Sequence, residues 1–480
     1  GVIFISIDDN EVENLRKVCD EVFGECNFTG CIVLQTATDN NPRQINTEHE
    51  YIICYCKNLC IQKPWYTESE KAKLILNKYK ELKTEYGSDI SVIQDKLRFW
   101  LKSNTEKLKG VTHYDNVDSK GVFHDGDIAN TTFGGYKYEI IHPATHKPCK
   151  IPEKGFRFPE STMKEMIANN DIMFGEDETT LIKPKKRLEN AKELLRTVIY
   201  EDGRSSTKDF EALMSRDIFQ NPKSTTVLGR LFNFVISDND IVLDFFSGSA
   251  SSAEAVMKIN ERYKKNIKFI HIQIPENIDK ILETSRDKAK KTAKNAIMFL
   301  DTISKPHTIC EIGKERIRRA GKKILEEQAA KKDGNGLFDK ETEQARLDVG
   351  FRVLKLDTSN MRDVYYTPEE SSAATLFDDN IKPDRTPEDL LFQVMLECNL
   401  PLSAKIERKT IAGKEVFSVN NDYLIACFDE DVNETVITEV AKRKPYYFVM
   451  RDSSLSSDQV ADNFEQIFNA YSKDTCRRII

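Results

Sequence analysis

Between Asp240 and Asn260 the chain reads DIVLDFFSGSASSAEAVMKIN: an apolar run breaks at serine and glycine and passes at once into a helical pattern. A short, β-branched apolar run suits a buried strand, and from about Ser251 the apolar residues recur at helical spacing. A strand that feeds a helix through so short a turn confines this part of the chain to an α/β class, in which helices cover the sheet. Turns of this kind aim backbone amides at small charged ligands. An ordinary strand–turn–helix join without a ligand is the alternative.

Three ligand classes compete for the turn. A nucleoside triphosphate loop needs a lysine to reach the phosphates, and no lysine lies in this turn. A dinucleotide fold favours three spaced glycines, so that backbone can approach a pyrophosphate, whereas here Gly248 stands alone among serines. S-adenosyl-L-methionine carries both a carboxylate and an ammonium. Free amides at the turn and helix opening suit the first, and Asp244 or nearby carbonyls suit the second. The helix dipole adds about 0.3–1 kcal/mol, so it orients more than it binds.

Flanking segments point the same way. FQNPKSTTVLGRLFNFVI (Phe219–Ile236) predicts a helix leading onto the strand, with Asn221–Pro222–Lys223 as a rigid entry and Ser224 as its N-cap. Downstream, FIHIQIPE predicts a second strand ending in Gln273 and Glu276, where such folds hydrogen-bond a ribose diol.

At the front, VIFISI (Val2–Ile7) reads as a strand covered on both faces, followed by a helix capped by Asp8 or Asp9 and two strands, CIVLQT and YIICYC. That is the closing end of an α/β sheet, and Ile241–Phe245 is expected in the same sheet. The chain opens without Met inside a strand, so an N-terminal segment is expected to be missing. From about Leu59 to Arg216 a charged helical region and a loop- and strand-rich section read as an insertion. GKERIRRAGKKILEEQAAKK (Gly313–Lys332) reads as a solvated helix with internal ion pairs, or as a contact helix. TPEESSAATLFDDNIKPDRTPED reads as a linker, and LLFQVMLE, YLIACF, YYFVM and FEQIFNAY as elements of a last α+β section.

The net charge of −7 means that any nucleic acid is bound through a local patch rather than bulk charge. Lys154 and Arg157, with the run Lys183, Lys185, Lys186 and Arg187, are the candidates, solvated surface charge being the alternative. Four insert histidines (His113, His124, His142, His146) lack the spacing of a metal site, and eleven cysteines follow no disulfide or zinc pattern, so a reduced cytoplasmic chain without metal is expected. No apolar run approaches the roughly 20 residues that span a bilayer.

Taken together, TEHEYIICYCKN, HYDNVDSKGVFH, YEIIHPATHKPCKIPEKGFRF, NPKS, FFSGSA (Phe245, Phe246, Ser247, Gly248, Ser249, Ala250), KERIRRAGKKI, GFRVLKLDTSN and NFEQIFNAY resemble, in order, the modification (Mod) subunit of type III restriction–modification systems. These are β-class DNA methyltransferases acting on adenine N6. Ala250 stands where the family carries its last cofactor-loop glycine.

The resemblance implies a Rossmann-like S-adenosylmethionine-dependent methyltransferase sheet, incomplete here, with an inserted target-recognition domain, a helical extension and a small α+β C-terminal domain. The expected divisions are 1–58 and 217–300 for the sheet, 59–216 for the insert, 301–385 for the extension and linker, and 386–480 for the last domain. It implies double-stranded DNA as substrate, a Mod homodimer and an ATP-dependent restriction helicase–nuclease partner. It also implies a catalytic Asp-Pro-Pro-Tyr motif, and no Pro-Pro occurs in this chain. A truncated chain that binds weakly and methylates little or not at all is the expectation, and a non-catalytic DNA-binding or assembly module with a vestigial pocket is the alternative.

Overall fold

Val2–Ile7 forms strand β1, followed by helix α1 (Val12–Phe23) and strands β2 (Phe28–Gln35) and β3 (His49–Cys56). Ile3, Ile5 and Ile7 pack with α1 around Cys19, Ile53 and Tyr55, while Phe4 joins the core on the other face. β1 is therefore contacted from both sides, as its unbroken apolar run predicts. The cap of α1 differs from expectation. Glu11 takes the N-cap position, and Asp8 instead accepts from the amide and side chain of Asn10.

The computed structural model describes residues 1–36, 47–334, 347–362, 381–455 and 458–480, in two compact units, Gly1–Phe351 and Arg352–Ile480. Within the first unit the chain continues through β4 (Tyr66–Glu68), α2 (Glu70–Tyr86), α3 (Ile90–Ser103), β5 (Asn116–Val117) and β6 (Val122–Asp125). It then forms α4 (Glu160–Ala168), β7 (Ile172–Met173), β8 (Lys183–Arg187), β9 (Lys192–Leu194) and β10 (Val198–Tyr200). Strands β5, β6, β8 and β7 make one four-stranded sheet, and β4 pairs with β9 at the base of the insertion. Ser69 and Asp89 cap α2 and α3, whose apolar faces pack Ile75, Leu82, Leu97 and Leu101 against Val122 and Leu188.

β10 lies inside the stretch expected as insertion, yet it pairs in parallel with β2, giving a first sheet in the order β1-β3-β2-β10. Three residues are too few to show a strand period in sequence, so the return to this sheet comes before Arg216.

Next come α5 (Gly203–Leu213), α6 (Thr225–Val235), β11 (Ile241–Asp244), α7 (Ser251–Tyr263), β12 (Lys268–His271), α8 (Ile278–Thr284), α9 (Asp287–Thr302) and α10 (Ile309–Gly334). β11 and β12 pair in parallel as a separate two-stranded sheet. This corrects the expectation of one sheet joining Val2–Ile7 to Ile241–Phe245. Among the described residues β1 pairs only with β3 and β11 only with β12. What links the two sheets is packing, not a ladder: α6 sets Val227 and Leu231 against Ile32, Leu34, Ile52 and Ile199, while its Phe232 also meets the Val242–Val256 core. On β11 and β12 the alternate residues Ile241, Leu243 and Ile270 are at least half exposed, so the face away from that core is apolar and uncovered among the described residues.

The second unit holds α11 (Pro387–Glu397), β13 (Ile406–Ile411), β14 (Lys414–Val419), β15 (Leu424–Cys427), α12 (Glu434–Lys442), β16 (Tyr447–Met450), α13 (Asp458–Tyr471) and β17 (Cys476–Ile479). Its five strands run in chain order, antiparallel through β15 and parallel thereafter. One face packs on α12 and α13 through Val436, Val440, Phe464 and Phe468, and the other on α11 through Leu391 and Met395. The expected linker lies mostly outside the described residues. Its last part, TPED, is a capping box: Thr386 and Asp389 exchange side-chain and backbone hydrogen bonds, and Pro387 opens α11 three residues before Leu390.

Candidate functional site

The β11–α7 turn is held by its own polar groups. Gly248 and Ala250 sit at φ +48° and +59°, and together they swing the chain from the strand into the helix. Glycine meets such angles freely; Ala250 is held there at a cost of about 1–2 kcal/mol. The Gly248 amide donates to Gln273 Oε1 at 2.7 Å and the Ser247 amide to the Ile272 carbonyl at 3.2 Å. Asp244 Oδ1 accepts from the Phe246 amide at 3.3 Å, and its Oδ2 accepts from the Ser252 hydroxyl. His271 Nε2 lies 3.0 Å from that hydroxyl, and burial pulls the His271 pKa down. Asp244 and Gln273, both expected at the ligand, thus brace the loop from within.

What the loop presents outward is Phe246, 82% exposed, with Ser247 and Gly248 half-buried beside it. Behind them α7 opens with Ser251, Ser252 and Ala253, whose amides have no partner inside the helix. Gly248 packs closely: a Cβ there would lie 3.3 Å from Phe219 Cζ, in the segment that enters α6. The NPKS residues are spent locally. Lys223 pairs with Glu50 of β3 at 2.5 Å, while Ser224 accepts from Val227 N as the cap and donates to Glu201 at 2.9 Å. Asn221 adopts φ +49°, and Pro222 is buried. Glu276 is exposed past the end of β12.

Beneath the loop lies a residue that sequence reasoning missed. Arg316 of α10, 2% exposed, donates through Nε to Glu254 at 2.8 Å and through Nη1 to Ser249 Oγ at 2.9 Å and Ser251 Oγ at 2.7 Å. Burial pushes the Glu254 carboxyl up, but Arg316 and Lys258 outweigh it and hold the group below the ordinary glutamate range. The reading as a solvated helix with internal ion pairs fits Arg318 and Arg319, which pair with Glu315 at 3.4 and 2.8 Å, but not Arg316; Arg319 also donates to the Met214 carbonyl at 2.8 Å. The available signal was the helical spacing of Gly313, Ile317 and Ala320, which marks a buried face.

His307, just before α10, bridges Asp279 at 3.0 Å and Asp301 at 2.9 Å, and these carboxylates raise its pKa. A raised histidine stabilises the fold below its unfolded value and loses that contribution as pH rises through its folded value. NMR titration is expected to place His307 above the ordinary value of about 6.5, and a titration at or below it refutes the bridge.

The insert's basic residues separate by face. Arg187, its side chain 8% exposed, bonds Asp118 at 2.6 Å and Asp171 at 2.9 Å; Lys185 adds 2.9 Å to Asp118. Burial opposes ionisation of Asp118, but Arg187 and Lys185 bring its pKa down to about 2. Lys183 pairs with Asp125 at 2.5 Å. Lys186 lies on the opposite strand face, exposed, across from His124 in the β6–β8 ladder, with the His113 ring 4.6 Å from that of His124. Lys154 is exposed and donates to the Thr131 carbonyl at 3.1 Å; Arg157 is half-buried. His142 is buried and braces its loop by contacts to Gly175 O, Ala144 N and Thr145 N. Among the described residues no group of three or more metal-ligating side chains forms. Cys54 and Cys56 are buried in β3, and burial pushes the Cys54 thiol up to about 12.

The chain is 36% identical over 330 residues to the Mod subunit of the type III restriction–modification enzyme EcoP15I of Escherichia coli, which covers 67% of this chain and 48% of that protein. It is 26% identical over 329 residues to the StyLTI Mod subunit of Salmonella typhimurium, covering 68% and 42%. The type II methyltransferase KpnI of Klebsiella pneumoniae is similar at 21% identity over 275 residues, 54% of this chain and 59% of that protein. The chain thus spans about half the length of the Mod relatives it matches. A family model described as DNA methylase matches residues 1–284, from β1 to the end of α8. That match takes in both sheets, the insertion and the β11–α7 loop, and it shows that this protein belongs to the DNA methylase family.

Proposed function

We propose that this chain is the S-adenosylmethionine-binding and DNA-recognising part of a type III Mod adenine-N6 methyltransferase, built on a Rossmann-like sheet. The observation that carries this reading is the β11–α7 turn, whose left-handed Gly248 packs closely enough that a Cβ would lie 3.3 Å from Phe219 Cζ. The cradle fits the cofactor. The amides that open α7 face the methionine carboxylate, Glu276 faces the ribose diol, and Phe246 offers a ring to the purine. When bound, the cofactor supplies a methyl group activated on a sulfonium.

The target adenine is reached only after it leaves the duplex, at a cost of a few kcal/mol that contacts to the insert offset. Acceptance of the amino protons falls to the Asp-Pro-Pro-Tyr motif in the resembled family. Pairing with a second Mod subunit and with a restriction helicase–nuclease belongs to the same proposal, as does a cytoplasmic setting. Among the described residues no helix is long and apolar enough to cross a membrane.

Calorimetric titration with S-adenosylhomocysteine tests the reading: saturable binding supports it, and none overturns it. On the DNA side, Lys186→Ala is expected to weaken duplex binding about equally across sequences and to lower the salt slope by about one, measured by fluorescence anisotropy. An unchanged slope removes Lys186 from the interface.

A further inference from the structure

We infer that Arg316 is a positioning residue for the cofactor, fixing the β11–α7 loop in the form that accepts it; this rests on the cofactor reading of that loop. Arg316 lies on α10, outside the segment matched by the family model. Its guanidinium is a rigid planar fork, and its bonds converge on neighbouring parts of one turn: the Ser249 and Ser251 hydroxyls, and Glu254 one turn into α7. Phe210 covers the group, its ring centre 5.0 Å from Cζ.

Stability alone does not account for this arrangement. Removing two charges from water costs several kcal/mol each, and apolar replacements of a buried pair are often neutral or better. What the pair supplies is geometry, as a point of fixed register beneath a loop whose backbone must be held ready. The same face of α10 makes the other contacts that such a role needs. A Cβ at Gly313 would lie 3.2 Å from the Gly248 carbonyl, so a glycine there lets the helix touch the loop backbone. The Ile309 amide donates to the Glu276 carbonyl at 3.2 Å, and the Cys310 thiol lies 3.4 Å from the Gln273 carbonyl. One rigid helix thereby registers the two loops that face opposite ends of the ligand.

Titration of S-adenosylhomocysteine into the full chain and four variants tests this. Arg316→Met is expected to bind at least tenfold more weakly. Arg316→Lys, which keeps the charge and loses the fork, is expected to fall between it and the unmodified chain. Arg316→Met with Glu254→Met removes both charges and is expected to regain the thermal midpoint while staying at least tenfold weak. Leu97→Ala, a core change in α3, is expected to lower the midpoint and leave affinity unchanged.

If the unmodified chain binds and Arg316→Met binds within twofold of it, the inference falls and the cofactor reading stands. Recovery of affinity together with stability in the double variant overturns it equally. If the unmodified chain does not bind, the cofactor reading falls first and takes this inference with it. Should Arg316→Met fail to fold, the lysine and double variants decide.

Discussion

Arg187→Met is expected to destabilise the insert by about 3 kcal/mol, the low end of the 3–5 kcal/mol seen when one partner of a buried ion pair is removed. The low end applies because Lys185 still reaches Asp118, whereas Asp171 loses its guanidinium. With the side chains of Arg187 and Asp118 only 8% and 15% exposed, little water screens the loss. Trp65 and Trp100 are the only tryptophans and both lie in the expected insert, so their fluorescence in urea reports this transition. An unshifted midpoint contradicts the network.

Acid tests the same group with a definite sign. The Asp118 pKa is lowered to about 2 from an unfolded value of about 3.9, so its contribution is complete above about pH 4 and is lost as pH falls toward 2. Asp118→Asn is expected to flatten that part of the stability profile.

Gly248→Asp is expected to reduce S-adenosylhomocysteine affinity at least a hundredfold while the fold survives. Aspartate tolerates the left-handed φ of +48° better than most residues, so the backbone cost is modest, about 1 kcal/mol. Its side chain, however, starts 3.3 Å from Phe219 and must turn outward into the cradle. There a carboxylate meets the ligand's carboxylate at short range, a like-charge contact worth several kcal/mol where water is excluded. Unaltered circular dichroism with equal affinity in both proteins would mean that the cofactor, if bound, lies elsewhere.

Local order was readable where periodicity is long and unambiguous. The strand at Ile241, the helix opening at Ser251 and the cap at Ser224 all lie where their residue types place them. The misses have physical causes. TPED reads as linker because proline and aspartate serve turns and helix openings alike, and only the spacing of Thr386 to Asp389 separates the two. In sequence the run KPKKR shows only five residues of one basic stretch, suited to phosphates or to solvent alike. As strand β8 it alternates, so Lys183, Lys185 and Arg187 meet aspartates on one face and Lys186 stands on the other.

The expected single sheet depended on ladder pairing between strands more than 200 residues apart, which composition does not encode, and the chain instead joins the two sheets through α6. Arg316 was hidden for a similar reason. Its carboxylate partner is 62 residues away, and within its own helix it looks like any solvated arginine.

Hydrogen exchange followed by mass spectrometry, with and without S-adenosylmethionine, bears most directly on the central claim. Slowed exchange is expected in peptides covering Phe245–Ala253 and Gln273–Glu276, with the second unit unchanged. Protection confined to other segments, with these two unaltered at saturating ligand, would contradict it.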